Sequence, residues 1–156
     1  MTIAVRRIGP DDWPVWRRLR RAALADAADM FGATLAEWSG AGDTEERWRA
    51  RLRDVALNLV LDCDGAPAGM VSADLPDDDG LVMIRSLWVA PTARGRGVGD
   101  EAVRQVVAWA ADAHPGSRVA LSVRTGNEPA LRLYHRHGFA DAGPSPEDPA
   151  ERLMLR

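Results

Sequence analysis

The sequence predicts an α/β fold of the α+β-like kind: a central mixed, mostly antiparallel twisted sheet flanked by about four helices. Three observations carry this expectation. Segments that alternate with a two-residue period cluster between residues 57 and 89 and read as a short antiparallel meander. Segments with helical spacing precede that cluster. After residue 97 helix and strand alternate, the interspersion expected of one mixed sheet.

In chain order, TIAVRRI (2 to 8) alternates like a strand. Pro10, Asp11 and Asp12 then supply the turn and acidic start of a helix running to about Ala25, whose apolar positions Trp13, Trp16, Leu19, Ala23 and Leu24 keep helical spacing. Residues 26 to 42 mix small and apolar types without a period. TEERWRARLRD (44 to 54) predicts a second short helix with Trp48 and Leu52 on one face. LNLVLDCDG and PAGMVSADL read as two strands joined across Asp64 and Gly65, a hairpin signal. PDDDG makes the next turn and LVMIRSLWV (81 to 89) a longer strand.

A glycine-rich run opens a helix from about Gly97 to Ala113, with Val98, Ala102, Val103, Val106, Val107 and Ala110 as its apolar stripe. RVALSVR (118 to 124) is a strand, and NEPALRLYHRHG (127 to 138) a helix ended by glycine. Residues 139 to 143 and 151 to 155 are the last strand candidates.

A chain of 156 residues is most simply one domain, able to bury roughly 70% of its unfolded surface without disulfide or metal. Its hydrophobic fraction of 46% and charged fraction of 28% are ordinary for a globular protein, and no apolar run approaches the ~20 residues of a membrane span. The start, MTIAVRRIGPDD, lacks the apolar core of a signal peptide, so a cytoplasmic location is expected and no membrane partner. Cys63, the only cysteine, reads as a buried reduced thiol. A net charge of -3 argues against a nucleic-acid partner, which would call for a basic face. The basic residues are all arginine; no lysine occurs.

The run RGRGVGDEA (94 to 102) places three glycines and two arginines at the mouth of a helix, where unpaired N–H groups and the helix dipole favour an anion. A Walker A loop is excluded because it needs a lysine. GVGDEA does fit the dinucleotide pattern G-x-G-x-x-[GA], but APTARGR separates it from the preceding strand and no acid ends the next one. An ordinary turn without ligand is a further alternative.

LWVAPTARGRGVG also carries arginine, two residues, glycine, one residue and glycine, and so resembles the Q/R-x-x-G-x-G/A signature of the GNAT N-acetyltransferase superfamily. RVALSVRTGNEPALRLYHRHGF then supplies, in register, the strand, asparagine, helix, tyrosine and Gly-Phe of that family's second half. The resemblance covers residues 57 to 143 strongly and the first 55 in outline. It implies a GNAT-type domain and acetyl-CoA as the acyl donor.

Carried over residue by residue, the resemblance implies that Arg94, Gly95, Arg96, Gly97, Val98 and Gly99 hold the pyrophosphate of coenzyme A. Leu87 and Val89 would bind the pantetheine arm through the main chain, with the Leu87 N–H polarising the thioester carbonyl. Tyr134 would hydrogen-bond the sulfur and protonate the leaving thiolate, although packing beside Leu131 also explains its ring. Asn127 would lie near the coenzyme while capping its helix. Asp100 departs from the pattern: an acid there suits the helix dipole but repels phosphate, so its side chain is expected to point away.

The acceptor side is less defined. The family builds one wall from the segment holding Phe31, Glu37 and Trp38, which could form an aromatic, acidic site for a cationic amine. The strand 81 to 89 lacks the glutamate some members use as a base, leaving Glu37, Asp74 and a water-holding Ser86 as candidates. His135 and His137 flank no acid in sequence and fit no metal spacing, so both read as helix-surface residues and no metal is expected. Cys63 is remote in sequence from both motifs, which disfavours a covalent acyl-enzyme. The expected acceptor is a small-molecule amine. A protein or peptide amine, or a non-catalytic coenzyme A-binding regulatory module, are the alternatives, for a monomer or homodimer.

Overall fold

The computed structural model of the chain describes residues 1 to 27 and 33 to 156. Among these described residues seven strands, β1 (Ile3–Arg7), β2 (Leu57–Cys63), β3 (Ala66–Ala73), β4 (Leu81–Val89), β5 (Arg118–Arg124), β6 (Ala140–Pro144) and β7 (Glu151–Leu155), form one sheet in the order β1-β2-β3-β4-β5-β7-β6. Every pairing is antiparallel except β4 with β5. Among the described residues, four α-helices, α1 (Trp13–Asp26), α2 (Glu45–Asp54), α3 (Val98–Ala113) and α4 (Glu128–Arg136), accompany the sheet. The mixed, mostly antiparallel α/β fold expected from the sequence is therefore the one adopted. Among the described residues, the aperiodic stretch after α1 forms 3-10 turns at Ala36–Trp38 and Gly40–Gly42.

Local chemistry sets the element boundaries. Thr44 caps α2 by accepting the Arg47 N–H, with Glu45 and Glu46 in the first turn and Arg51 and Arg53 in the last, the arrangement the helix dipole favours. Asp64 and Gly65 both hold positive φ, 52° and 86°, as the tight turn between β2 and β3 requires.

Helices cover both faces, so β2 is buried at five consecutive residues from Leu57 to Leu61 rather than at alternate ones. Leu59, Val71, Val82, Ile84, Val103 and Leu121 belong to the core on the α3 side. Trp16, Leu19, Trp48, Val60, Met70 and Trp88 form a second core under α1 and α2. Cys63 is buried and free.

The order of the last strands positions the site. β7 lies between β5 and β6, so β5 is fully paired along its outer edge from Ala120 to Arg124. On its inner edge β5 pairs with β4 only at Leu81, Val82 and Met83. Beyond that point the two strands part.

Candidate active site

The parting of β4 and β5 opens a cleft of about 840 Å³, lined by Ile84 to Val89 on one side and Leu121 to Arg124 on the other, and closed at one end by the start of α3 and by α4. Of the residues expected to bind a coenzyme, Leu87, Val89, Arg94, Gly95, Gly97, Val98, Gly99, Asn127 and Tyr134 all line this cleft. Arg96 does not: its exposed guanidinium stands 3.8 Å from Asp64, across the chain in the β2–β3 turn.

A bulge in β4 decides which main-chain groups face the opening. Met70 pairs with Trp88 but Ser72 pairs with Arg85, so Val71 alone opposes both Ser86 and Leu87. Ser86 takes up the extra residue at φ 54°, in the left-handed region that non-glycine residues seldom occupy. Before the bulge the Met83 carbonyl faces β3, accepting the Asp74 N–H; after it the Ala90 N–H faces β3, donating to Ala68. Because strand groups alternate, the inserted residue turns the main chain of Leu87 and Val89 away from β3 and toward β5, where no strand pairs with them. The side chains shift in step, so that Val82 and Ile84 before the bulge and Leu87 and Val89 after it all meet the α3-side core.

The three glycines at the mouth of α3 serve two purposes. Gly95 and Gly97 hold positive φ, 76° and 85°, and a Cβ on either would meet nothing within 4 Å, which leaves the backbone open to a bulky anion. Gly99 is instead a packing residue: its Cβ would lie 3.3 Å from Leu133 of α4. Arg94 is folded back, donating from Nε to the Val89 carbonyl and from Nη2 to Asp26 at 2.5 Å. Asp26 also accepts the Trp88 indole N–H at 3.0 Å, and these bonds, the Trp88 one first, hold its carboxyl below the usual range. Sequence reading missed Asp26, though an acid in the last turn of a helix opposes the dipole and so marks a tertiary partner.

Asp100 lines the same end but turns to α4, accepting from Arg136 at 3.2 Å and meeting His137 Nε2 at 2.8 Å. His137 is thus not a bare surface residue; its acid comes from a helix distant in sequence. Asn127 caps α4 by accepting the Ala130 N–H. Tyr134 is 8% exposed, packs edge-on against Phe139, and has its phenol pushed up to about 12 by burial.

Three of the acceptor-side candidates lie outside this lining. Trp38 does not line the cleft; it lies against Trp48, ring centroids 4.4 Å apart, with Arg47 over its ring at 3.7 Å. Glu37 is exposed and bound to Thr34, whose N–H and hydroxyl both donate to it. Asp74 is likewise outside the lining, occupied by Arg85 Nε at 2.9 Å. Phe31 lies outside the described residues. Ser86 does line the cleft, but its hydroxyl accepts from Arg51 of α2 at 3.3 Å. Arg85, Ser86, Ser122 and Arg124 do line the cleft, and the loop after β6 pairs with two of them: Glu147 with Arg85 and Asp148 with Arg124.

Splayed strands that free the main chain of Leu87 and Val89, and a glycine-lined helix start, are the arrangement the sequence resemblance implies, and the family model described as the Acetyltransferase (GNAT) family matches residues 16 to 139. The chain belongs to the GNAT acetyltransferase family. Members of this family use acetyl-CoA as acyl donor. Among curated relatives, a mycothiol acetyltransferase of Salinispora tropica is 28% identical over 143 residues, covering 90% of this chain and 45% of the relative. The chain thus spans less than half the length of that protein. In fold, this GNAT chain is similar to the PaiA N-acetyltransferase of Thermoplasma acidophilum, solved with coenzyme A, at a TM-score of 0.77 and 14% identity, covering 100% and 99% of the two chains. It is similar also to a ribosomal-protein-S5-alanine acetyltransferase of Vibrio fischeri, with a TM-score of 0.80, 17% identity and coverage of 100% and 93%. No helix among the described residues is long and apolar enough to cross a membrane.

Proposed function

We propose that this GNAT chain transfers an acetyl group from acetyl-CoA to a primary amine of a small molecule by direct attack. The observation that carries the reading is the β4 bulge, which turns the Leu87 and Val89 main chain into the cleft beside the α3 glycines. Acetyl-CoA supplies the thioester acyl group. Gly95, Gly97, Val98 and Gly99 hold its pyrophosphate on free N–H groups and the positive end of α3, with Arg94 alongside. Val89 and Leu87 bind the pantetheine arm as a neighbouring strand would be bound, and Asn127 borders the same channel.

The amine nitrogen bonds to the carbonyl carbon, and the Leu87 N–H takes the charge that develops on oxygen, a contribution worth about 3 kcal/mol in acyl-transfer sites. Collapse breaks the carbon–sulfur bond, Tyr134 gives its proton to the departing thiolate, and the proton shed by the attacking nitrogen as it becomes an amide passes to solvent, from which Tyr134 is reprotonated. A phenol pushed up to about 12 stays protonated throughout the working range, as this role demands. A lysine-like amine is neutral only about once in 2,500 molecules at pH 7, a cost of about 4.6 kcal/mol, so acceptors of lower pKa react faster.

Support for a small acceptor comes from the loop after β6. Glu147 on Arg85 and Asp148 on Arg124 hold that loop against the cleft lining, leaving less room there for an extended chain than for a small amine.

Thermal melting with millimolar acetyl-CoA tests the donor: a ligand at 100 times its Kd adds about 2.7 kcal/mol, and an unmoved Tm sinks the reading. Thiol release across a panel of small amines, amino acids and peptides tests the acceptor. Release with small amines supports the proposal; release with peptides alone assigns a protein acceptor, and binding without release a regulatory module.

A further inference from the structure

We propose that Arg51, on the opposite face of the sheet from the coenzyme cradle, is a positioning residue that holds the β4 bulge in the conformation turning the Leu87 N–H into the cleft. This rests on the acetyl-transfer reading above for its catalytic consequence, though not for its structural one.

Ser86 sits at φ 54°, a conformation that costs an L-residue free energy and persists where neighbouring groups over-determine it. The neighbouring group is a guanidinium. Arg51 Nη2 donates to Ser86 Oγ at 3.3 Å on β4 and to Ser72 Oγ at 3.1 Å on β3, so one nitrogen bridges the two strands directly beside the register shift. Arg51 is itself fixed. Its Nη1 donates to Asn58 Oδ1 at 2.9 Å, the Ser72 hydroxyl donates to the same oxygen at 2.7 Å, and the guanidinium lies 5.1 Å from the Trp16 ring centroid.

Asn58 closes the chain of contacts by donating from Nδ2 to the carbonyls of Leu52 and Val55, the end of α2 that carries Arg51. Asn58 and Ser72 are 2% and 0% exposed, so water does not compete for these bonds. The network thus runs from the α2 C-terminus through the sheet to the one residue whose backbone sets the parity of β4. A lysine could not make the same contacts, because the fork that reaches three acceptors at once is specific to arginine.

The tests are Arg51→Met, Ser86→Ala, and the double variant Arg51→Met with Ser86→Gly, in the full-length protein. Glycine adopts positive φ without penalty, so it substitutes intrinsic preference for the lost clamp. Arg51→Met and Ser86→Ala are each expected to lower kcat roughly tenfold with KM for acetyl-CoA within about twofold, the loss expected when a preorganised donor drifts out of line. The double variant is expected to recover most of that loss, which no general role in packing α2 would allow. The Leu87 amide resonance in nitrogen-15 NMR is expected to move in Arg51→Met and to return in the double variant. An unmoved Leu87 resonance in Arg51→Met, or a double variant no better than the single, overturns the proposal. Should Arg51→Met fail to fold, Ser86→Ala against Ser86→Gly carries the same comparison. Wild-type protein without any acetyl transfer would remove the functional reading, while the Leu87 resonance would still decide the role of Arg51.

Discussion

Asp100, in the first turn of α3, lies 2.8 Å from His137 at the end of α4, so the two helices that close the coenzyme end of the cleft are joined across their polar rims. Arg136 reinforces the junction with three bonds to the same carboxylate. The acid that looked discordant beside a phosphate site is thereby neutralised by neighbours.

This junction predicts an acid-sensitive contribution to stability. Burial pushes the Asp100 carboxyl up, but the bonds from His137 and Arg136 outweigh that and leave it below the usual carboxylate range. A depressed folded pKa means that the contribution is present above the unfolded value of about 3.9 and is lost as pH falls through the folded one. Asp100→Asn is therefore expected to cost about 1 kcal/mol at neutral pH, discounted for the exposed Arg136 arm. The difference from wild type should shrink below about pH 4. Urea unfolding at stepped pH values measures it; a difference that grows in acid would sink the assignment.

Gly97 and Gly99 should respond oppositely to alanine. At Gly97 the methyl enters open space but the backbone stays at φ 85°, costing about 1 kcal/mol and placing a Cβ where a pyrophosphate approaches. Gly99 lies within α3, where alanine is favoured over glycine by about 1 kcal/mol. The opposing contact, 3.3 Å, is with the end of the half-buried Leu133 side chain, which can rotate. Gly97→Ala is expected to lower both Tm and acetyl-CoA affinity, and Gly99→Ala to leave Tm within a degree or two of wild type, as scanning calorimetry with and without acetyl-CoA would show.

Most of the fold was legible because local signals and global packing agree: the caps, the Asp64-Gly65 turn and the periodicities all specify their observed elements. The glycine-rich start of α3 was legible for a related reason, since it is one contiguous stretch. What stayed hidden depends on partners far apart in sequence. Insertion of β7 between β5 and β6 has no local mark. The bulge at Ser86 interrupts a strand whose alternation looks regular, and Arg51 reaches it from 35 residues away. Trp38 and Glu37 carry no local mark of their partners, because aromatic and acidic side chains suit a cationic pocket as readily as they suit packing on Trp48 or a bond to Thr34.

Asp43 predicts a different contrast on the α1–α2 side. Its carboxylate takes two bonds from Arg17, at 2.7 and 2.5 Å, and the indole N–H of the fully buried Trp48 at 2.7 Å. Arg17 first and Trp48 second hold it well below the usual carboxylate range. Asn keeps an acceptor for Trp48 whereas Ala leaves that buried donor unpaired, so Asp43→Ala should be the less stable of the two. Wild type should hold its full advantage over both above about pH 4, the unfolded value, and lose it progressively as pH falls from there through the depressed pKa. Acid unfolding followed by tryptophan fluorescence checks the order; equal stability of the two variants would refute it.

Tyr134 offers the sharpest separation of chemistry from packing because it is the only tyrosine in the chain. Burial pushes its phenol up to about 12, against about 10 in the unfolded chain. Between those values the unfolded state loses a proton that the folded state keeps, so stability falls as pH rises through 10, and Tyr134→Phe should abolish that component. Tyrosinate absorbance reports this single group directly and should titrate near 12 in the native protein. Phenylalanine preserves the ring that packs edge-on against Phe139, so Tm at neutral pH should scarcely change. If Tyr134 protonates the departing thiolate, kcat should fall about 100-fold while KM for acetyl-CoA stays within a few-fold. A Tyr134→Phe variant with undiminished kcat would leave the hydroxyl no part in the reaction and reduce Tyr134 to a core aromatic.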